Sequence, residues 1–141
     1  MVKCTFLELF VKTLFSGVLV CASVYDIRER RIPNICCLAI LGLGLLDPCP
    51  DSFLGAVCIS APMLLLSVLT GGSFGGGDIK LMASGGFLLG VWGIVRAFVI
   101  GVISAGMYCI YLLLRRTVDL KSEFALGPFL SLGMIVAFLY S

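Results

Sequence analysis

Two aspartates, Asp26 and Asp78, lie where acidic side chains could support chemistry. Asp26 follows a long apolar run, and Asp78 follows a glycine-rich stretch and precedes another apolar run. Two close carboxyl groups cannot both ionise cheaply, so one of them keeps its proton. The ionised group can take a proton from water while the protonated group polarises a peptide carbonyl. The pair therefore predicts hydrolysis of a peptide bond without a metal, a covalent intermediate or a histidine.

Each aspartate also has a structural alternative. Asp26 would pair with Arg28 or Arg30 at a membrane surface, and Asp78 would cap the N-terminus of a helix. The glycines of Gly71–Gly77 favour the chemical interpretation, because they would let an extended substrate backbone come close. The alternative for that stretch is a hinge between helices. A phosphate-binding loop is excluded because no hydroxyl residue follows Lys80, which itself does not follow a glycine.

The composition excludes several other kinds of site. The chain has no histidine, which excludes serine–histidine and cysteine–histidine catalysis and histidine metal ligands. None of its seven cysteines forms a CxxC pair, so no zinc or thioredoxin-type site is indicated. The net charge of only +2 predicts no nucleic-acid partner. We therefore expect a site that needs neither a metal nor another cofactor.

The elements that must position the two acids are apolar. The 141 residues are 60% hydrophobic and 13% charged, whereas a soluble domain carries about 25% charged residues. An apolar run of about 20 residues crosses a bilayer as a helix. We predict an all-α, polytopic bundle of about six transmembrane helices, forming one domain over residues 1–141 with the lipid bilayer as its surroundings. The runs are Cys4–Tyr25, Ile32–Leu46, Phe53–Thr70, Ile79–Trp92, Val95–Leu114 and Phe124–Tyr140.

Two features of this pattern depend on glycine. The break between the fourth and fifth runs is placed at Trp92-Gly93, and without a turn there the count falls to five. Gly86 and Gly90 have the GxxxG spacing that lets membrane helices approach closely.

The distribution of basic residues predicts the topology. Seven of them fall on one side of a six-helix arrangement, and Lys3 and Arg96 fall on the other. Basic loops remain in the cytoplasm, so both acids are expected at the cytoplasmic ends of their helices in the inner (plasma) membrane. The seven are Arg28, Arg30, Arg31, Lys80, Arg115, Arg116 and Lys121.

Three segments together resemble a known family. Gly75–Lys80 looks like the GxGD signature of the intramembrane aspartyl peptidases, and in more detail that of the prepilin peptidases. Asp26–Asn34 is similar to the region around that family's first catalytic aspartate. Ala125–Gly133 resembles the GPF segment of its last helix. The three segments occur in the family's order.

The resemblance implies an aspartic endopeptidase that removes the basic leader of pilin-like or pseudopilin precursors. Asp26 and Asp78 would be catalytic, and Gly75, Gly77 and Lys80 would belong to the substrate-binding motif. Larger members carry a loop with paired CxxC motifs and also methylate the new N-terminus. This chain resembles the short, peptidase-only members, including those of tight-adherence pilus systems. Archaeal preflagellin peptidases share the same aspartates, and the resemblance implies no oligomeric state.

Two other classes of function fit an apolar bundle with acidic residues. A small transporter or channel component would use acids near the middle of the membrane as ion sites. A non-catalytic membrane subunit of a secretion apparatus would need no paired acids. A peptidase needs both carboxyl groups within reach of one water molecule.

The charge pattern yields a test of topology. Reporter tags fused at Met1 and Ser141 should both lie outside the cytoplasm, and a tag within residues 115–123 should lie in the cytoplasm, because basic loops are retained there. Protease protection of each tag in spheroplasts measures this. Termini on opposite sides would contradict the six-helix topology.

Overall fold

The computed structural model describes residues 2–46, 48, 50–72, 75–116 and 125–140, with side chains from residue 6 onward. These residues form five helices and no strand, which confirms the predicted all-α class. Sequence predictions that involve Lys3, Ser73, Phe74 and residues 117–124 fall on parts or side chains outside this description. The helices are α1 (Val2–Glu29), α2 (Asn34–Leu46), α3 (Ser52–Leu69), α4 (Gly76–Leu114) and α5 (Gly127–Leu139).

Three segments are long and apolar enough to cross a membrane. They are Phe6–Glu29 in α1, Ser52–Leu69 in α3 and Gly76–Leu114 in α4. The other two helices, α2 and α5, are apolar but have only 13 residues each. Membrane-spanning helices are thus supported by length and composition, whereas the number of six crossings stays a prediction.

The fourth helix contains the break that the sequence pattern placed elsewhere. A straight helix of 39 residues would be about 58 Å long, roughly twice the hydrocarbon thickness. Gly90 has φ 72° and ψ 179°, which interrupts α4 between 76–89 and 91–114. The predicted position at Trp92-Gly93 was therefore wrong. The interruption falls on Gly90 because this backbone conformation is essentially restricted to glycine.

The end of α1 also differs from the expected boundary. The apolar run ends at Tyr25, but the helix continues to Glu29, so Asp26 lies within its last turn. The backbone N–H of Arg30 donates to the Asp26 carbonyl at 2.9 Å, which completes that turn. The polar side chains that follow Tyr25 therefore do not prevent the backbone from continuing its helical hydrogen bonds.

Helix α4 packs against α2, α3 and α5, and α1 packs against α2 and α5. Close backbone contact joins α3 to α4, because a Cβ atom added at Gly86 would lie 2.7 Å from the carbonyl carbon of Gly55. This agrees with the packing role predicted for Gly86. Buried side chains from several helices fill the centre, among them Phe15, Leu19, Ile40, Leu81, Met82, Leu130 and Met134.

The conformation of Gly90 leads to a prediction about stability. Gly90→Ala should destabilise the protein by about 1–3 kcal/mol, because an L side chain is strained at that φ and ψ. Gly106→Ala is the matched control in the same helix, since a Cβ atom there meets nothing within 4 Å. Reversible unfolding in mixed micelles measures both variants. Equal stability of the two would contradict the interrupted helix.

Candidate active site

Asp26 is held in the last turn of α1 with its carboxyl group inside the protein. Its side chain is 7% exposed, and its Oδ2 atom has no hydrogen-bond partner among the residues that the structure describes. The start of α5 lies against this carboxyl group. A Cβ atom added at Gly127 would come within 2.7 Å of Asp26 Cγ. The carboxyl group is therefore enclosed by two helices that lie far apart in the sequence.

Asp78 is the third residue of α4 and is also buried. Gly75 occupies the N-cap position in an extended conformation, and the backbone N–H of Asp78 donates to its carbonyl at 3.0 Å. The alternative role of Asp78 as the N-cap is thus wrong. The Asp78 side chain is 9% exposed, and its Oδ1 atom has no hydrogen-bond partner within the described ranges. An acid in the first turn of a helix interacts favourably with the helix dipole.

Asp26 and Asp78 line one cavity of about 920 Å³, at the end of the bundle where α1 ends and α4 begins. They lie close enough for the charge on Asp26 to act on Asp78. The cavity is bounded by the end of α1, the connector to α2, the start of α4 and the two residues before α5. All five residues singled out from the sequence line it: Asp26, Asp78, Gly75, Gly77 and Lys80.

The glycines beside Asp78 differ in what surrounds them. A Cβ atom added at Gly76 would meet nothing within 4 Å, and one at Gly75 would meet only the Asp78 carboxyl group, at 3.5 Å. A Cβ atom at Gly77 would lie 3.1 Å from Ile32 Cβ and 3.2 Å from the Ile32 backbone nitrogen. Open space therefore exists beside Gly75 and Gly76. Because Gly77 has no side chain, the connector between α1 and α2 can pack against it at Ile32.

Lys80 takes part in a contact between helices at the cavity rim. Its Nζ atom donates to Asn34 Oδ1 at 3.2 Å, which joins the first turns of α4 and α2. The sequence placed Asn34 in a segment resembling the family without predicting this bond. Together with the contact between Ile32 and Gly77, it fixes the connector across the start of α4.

This arrangement is suited to activation of water. Asp26 and Asp78 both line the cavity, and each has one buried carboxyl oxygen without a hydrogen-bond partner within the described part of the chain. The rim carries both signs of charge, from Glu29, Arg31 and Lys80. No group of three His, Cys, Asp or Glu residues in the described ranges could hold a metal ion. Asp26 and Asp78 are the two buried acids among the residues that line this cavity.

Comparison with known proteins identifies a relative of the chain. The "Prepilin leader peptidase/N-methyltransferase" of Bacillus subtilis (strain 168) is 33% identical to the chain over 141 residues. The aligned part covers 95% of the chain and 57% of that protein, so the chain spans little more than half of its relative's length. No solved structure matches the chain.

A family comparison covers the region of the cavity. The model of the Type IV leader peptidase family matches residues 13–110, which include Asp26, Asp78 and the glycines before Asp78. The match ends before Gly127, so the resemblance of Ala125–Gly133 to the last helix of that family lies outside it. Since the matched residues make up well over half of the chain, the protein belongs to the Type IV leader peptidase family.

Proposed function

We propose that the protein is a membrane-embedded aspartic endopeptidase that removes the basic leader peptide of type IV pilin-like precursors. The observation that carries this proposal is the pair of buried carboxyl groups, Asp26 and Asp78, facing one cavity in a member of the Type IV leader peptidase family. The relative's printed name combines a prepilin leader peptidase with an N-methyltransferase. Only the peptidase activity is proposed here.

The reaction follows from the protonation of the two acids. One carboxyl group is ionised and accepts a proton from a water molecule as that water attacks the scissile carbonyl carbon. The other carboxyl group is protonated and donates to the carbonyl oxygen, where negative charge develops. The tetrahedral intermediate then collapses as its C–N bond breaks. The leaving amine takes a proton from the first acid, and a hydroxyl of the intermediate returns a proton to the second acid. The water supplies the new carboxyl oxygen, and no bond forms between protein and substrate.

The surroundings of the cavity suit a precursor with a polar leader and an apolar helix. The cavity lies at the ends of α1 and α4, where the apolar helices give way to charged residues. An apolar substrate helix would lie in the bilayer beside the bundle, with its leader at the polar rim. The excess of basic residues around this end supports a position at the cytoplasmic face of the inner membrane, because basic loops are retained in the cytoplasm.

The position of the acids also separates this proposal from transport. Asp26 lies three residues before the end of α1, and Asp78 lies in the first turn of α4. A transporter or channel component would be expected to carry such acids near the middle of its spans. A non-catalytic assembly subunit would have no need of two buried carboxyl groups with free oxygens, which are costly to fold.

Replacement of either acid should abolish cleavage. Asp26→Asn and Asp78→Asn keep the shape of the side chain and remove the ionisable group. Asp26→Glu and Asp78→Glu should lose about 100-fold in rate, because the added methylene displaces the carboxyl group by about 1 Å. Co-expression with a pilin-like precursor, with mass spectrometry of the mature N-terminus, measures the processing.

Asp51→Asn provides the matched control for these variants. Asp51 is exposed, precedes α3 and makes no side-chain capping hydrogen bond, so its replacement should leave processing intact. Membrane insertion is checked in every variant by extraction and gel filtration. Near wild-type processing by a well-inserted Asp26→Asn or Asp78→Asn variant would refute the mechanism.

The chemistry of the product gives a second prediction. The purified protein should cleave its precursor in the presence of a metal chelator, because the two acids activate water themselves. The new N-terminus should be unmethylated even when S-adenosylmethionine is supplied. Intact-mass measurement of the product distinguishes the outcomes. Inhibition by the chelator that zinc reverses, or a product heavier by one methyl group, would contradict the proposal.

A further inference from the structure

The start of α5 contributes a residue to the site that lies outside the family match. Gly127 is the first residue of α5 and is buried against the Asp26 carboxyl group. A Cβ atom at this position would lie 2.7 Å from Asp26 Cγ and 3.2 Å from Asp26 Cβ. The distance of 2.7 Å is too short for two carbon atoms in contact, and 3.2 Å is tighter than most such contacts. Gly127 therefore leaves no space for a side chain while Asp26 keeps its position.

Helix α5 is also held close to α4 along its length. A Cβ atom at Gly133 would lie 2.9 Å from the backbone nitrogen of Gly101. One turn earlier, the Cα atom of Leu130 would lie 3.1 Å from a Cβ atom at Gly101. These contacts involve backbone atoms, which cannot rotate away as side-chain ends do. With α5 held in this way, we expect a side chain at residue 127 to displace the Asp26 carboxyl group.

We propose that Gly127 is a positioning residue that sets where the Asp26 carboxyl group stands in the cavity. The α5 backbone at Gly127 lies directly against this carboxyl group and leaves no space for it to move toward α5. The catalytic part of this inference rests on the proposed peptidase function, whereas the contact between Gly127 and Asp26 does not. Two measurements address these two parts separately.

The first measurement tests the contact through stability. Melting temperatures are compared for Gly127→Ala, Asp26→Ala and the double variant, because such a cycle isolates the interaction between two sites and cancels the change in helix propensity. Gly127→Ala should lower the melting temperature of the otherwise wild-type protein. The same substitution should cause a much smaller loss in the Asp26→Ala background, which keeps the Cβ atom but has no carboxyl group to displace.

Gly133→Ala is the control for this cycle. It lies in the same helix and meets the backbone of α4, so its effect should be the same with and without Asp26→Ala. If Gly127→Ala alone does not fold, the double variant should restore folding. Additive effects of Gly127→Ala and Asp26→Ala, or no restoration, would overturn the inference.

The second measurement tests positioning through kinetics. Gly127→Ala should lower kcat about 100-fold and leave KM unchanged, because a catalytic group displaced by about 1 Å loses transition-state stabilisation without loss of substrate binding. Folded Gly133→Ala should keep the wild-type kcat. A wild-type kcat in folded Gly127→Ala would overturn the positioning role. If the wild-type protein itself cleaves no precursor, the proposed function fails. The stability cycle alone then tests the contact between Gly127 and Asp26.

Discussion

Two carboxyl oxygens, Asp26 Oδ2 and Asp78 Oδ1, are buried without a hydrogen-bond partner in the described part of the chain. A buried polar atom left unpaired costs about 1–3 kcal/mol, and more if its group is charged. The two acids also act on each other, which adds to the cost when both are ionised. Packing in the rest of the bundle must therefore contribute enough stability to offset this cost. Such unsatisfied groups in a folded protein call for an explanation, and activation of water at the cavity supplies one.

The acids can meet because backbones approach closely wherever the helices cross. Because Gly86 has no side chain, the backbone of α3 at Gly55 packs directly against it. Helix α5 packs closely against α4 in the same way, at Gly101 and Gly133. In a bilayer, where lipid tails are as apolar as leucine, small residues provide such contact between helices. The connector after α1 is secured in a similar way, by Ile32 on Gly77 and by the bond between Lys80 and Asn34. The end of α1 and the starts of α4 and α5 thereby lie around one cavity.

Much of this arrangement is readable in the sequence because hydropathy determines where membrane helices run. The runs Ile32–Leu46 and Phe53–Thr70 differ from α2 and α3 by two residues or fewer at each end. The break in α4 was misplaced because several glycines are close together there, and hydropathy does not reveal which one adopts a positive φ. The two acids were identified from their positions beside apolar runs, but their shared cavity arises from packing. The contact of Gly127 with Asp26 joins residues about 100 positions apart, and no local pattern predicts it.

The central claim is that Asp26 and Asp78 act as one unit in which one acid is ionised and the other protonated. The pH dependence of kcat/KM tests this directly, since it reports the essential acid and base of the free enzyme. The account predicts a bell-shaped profile for cleavage of a pilin-like precursor, because the reaction fails when both groups are protonated and when both are ionised. A profile that rises or falls with a single limb across the range in which the protein stays folded would contradict a mechanism based on the pair.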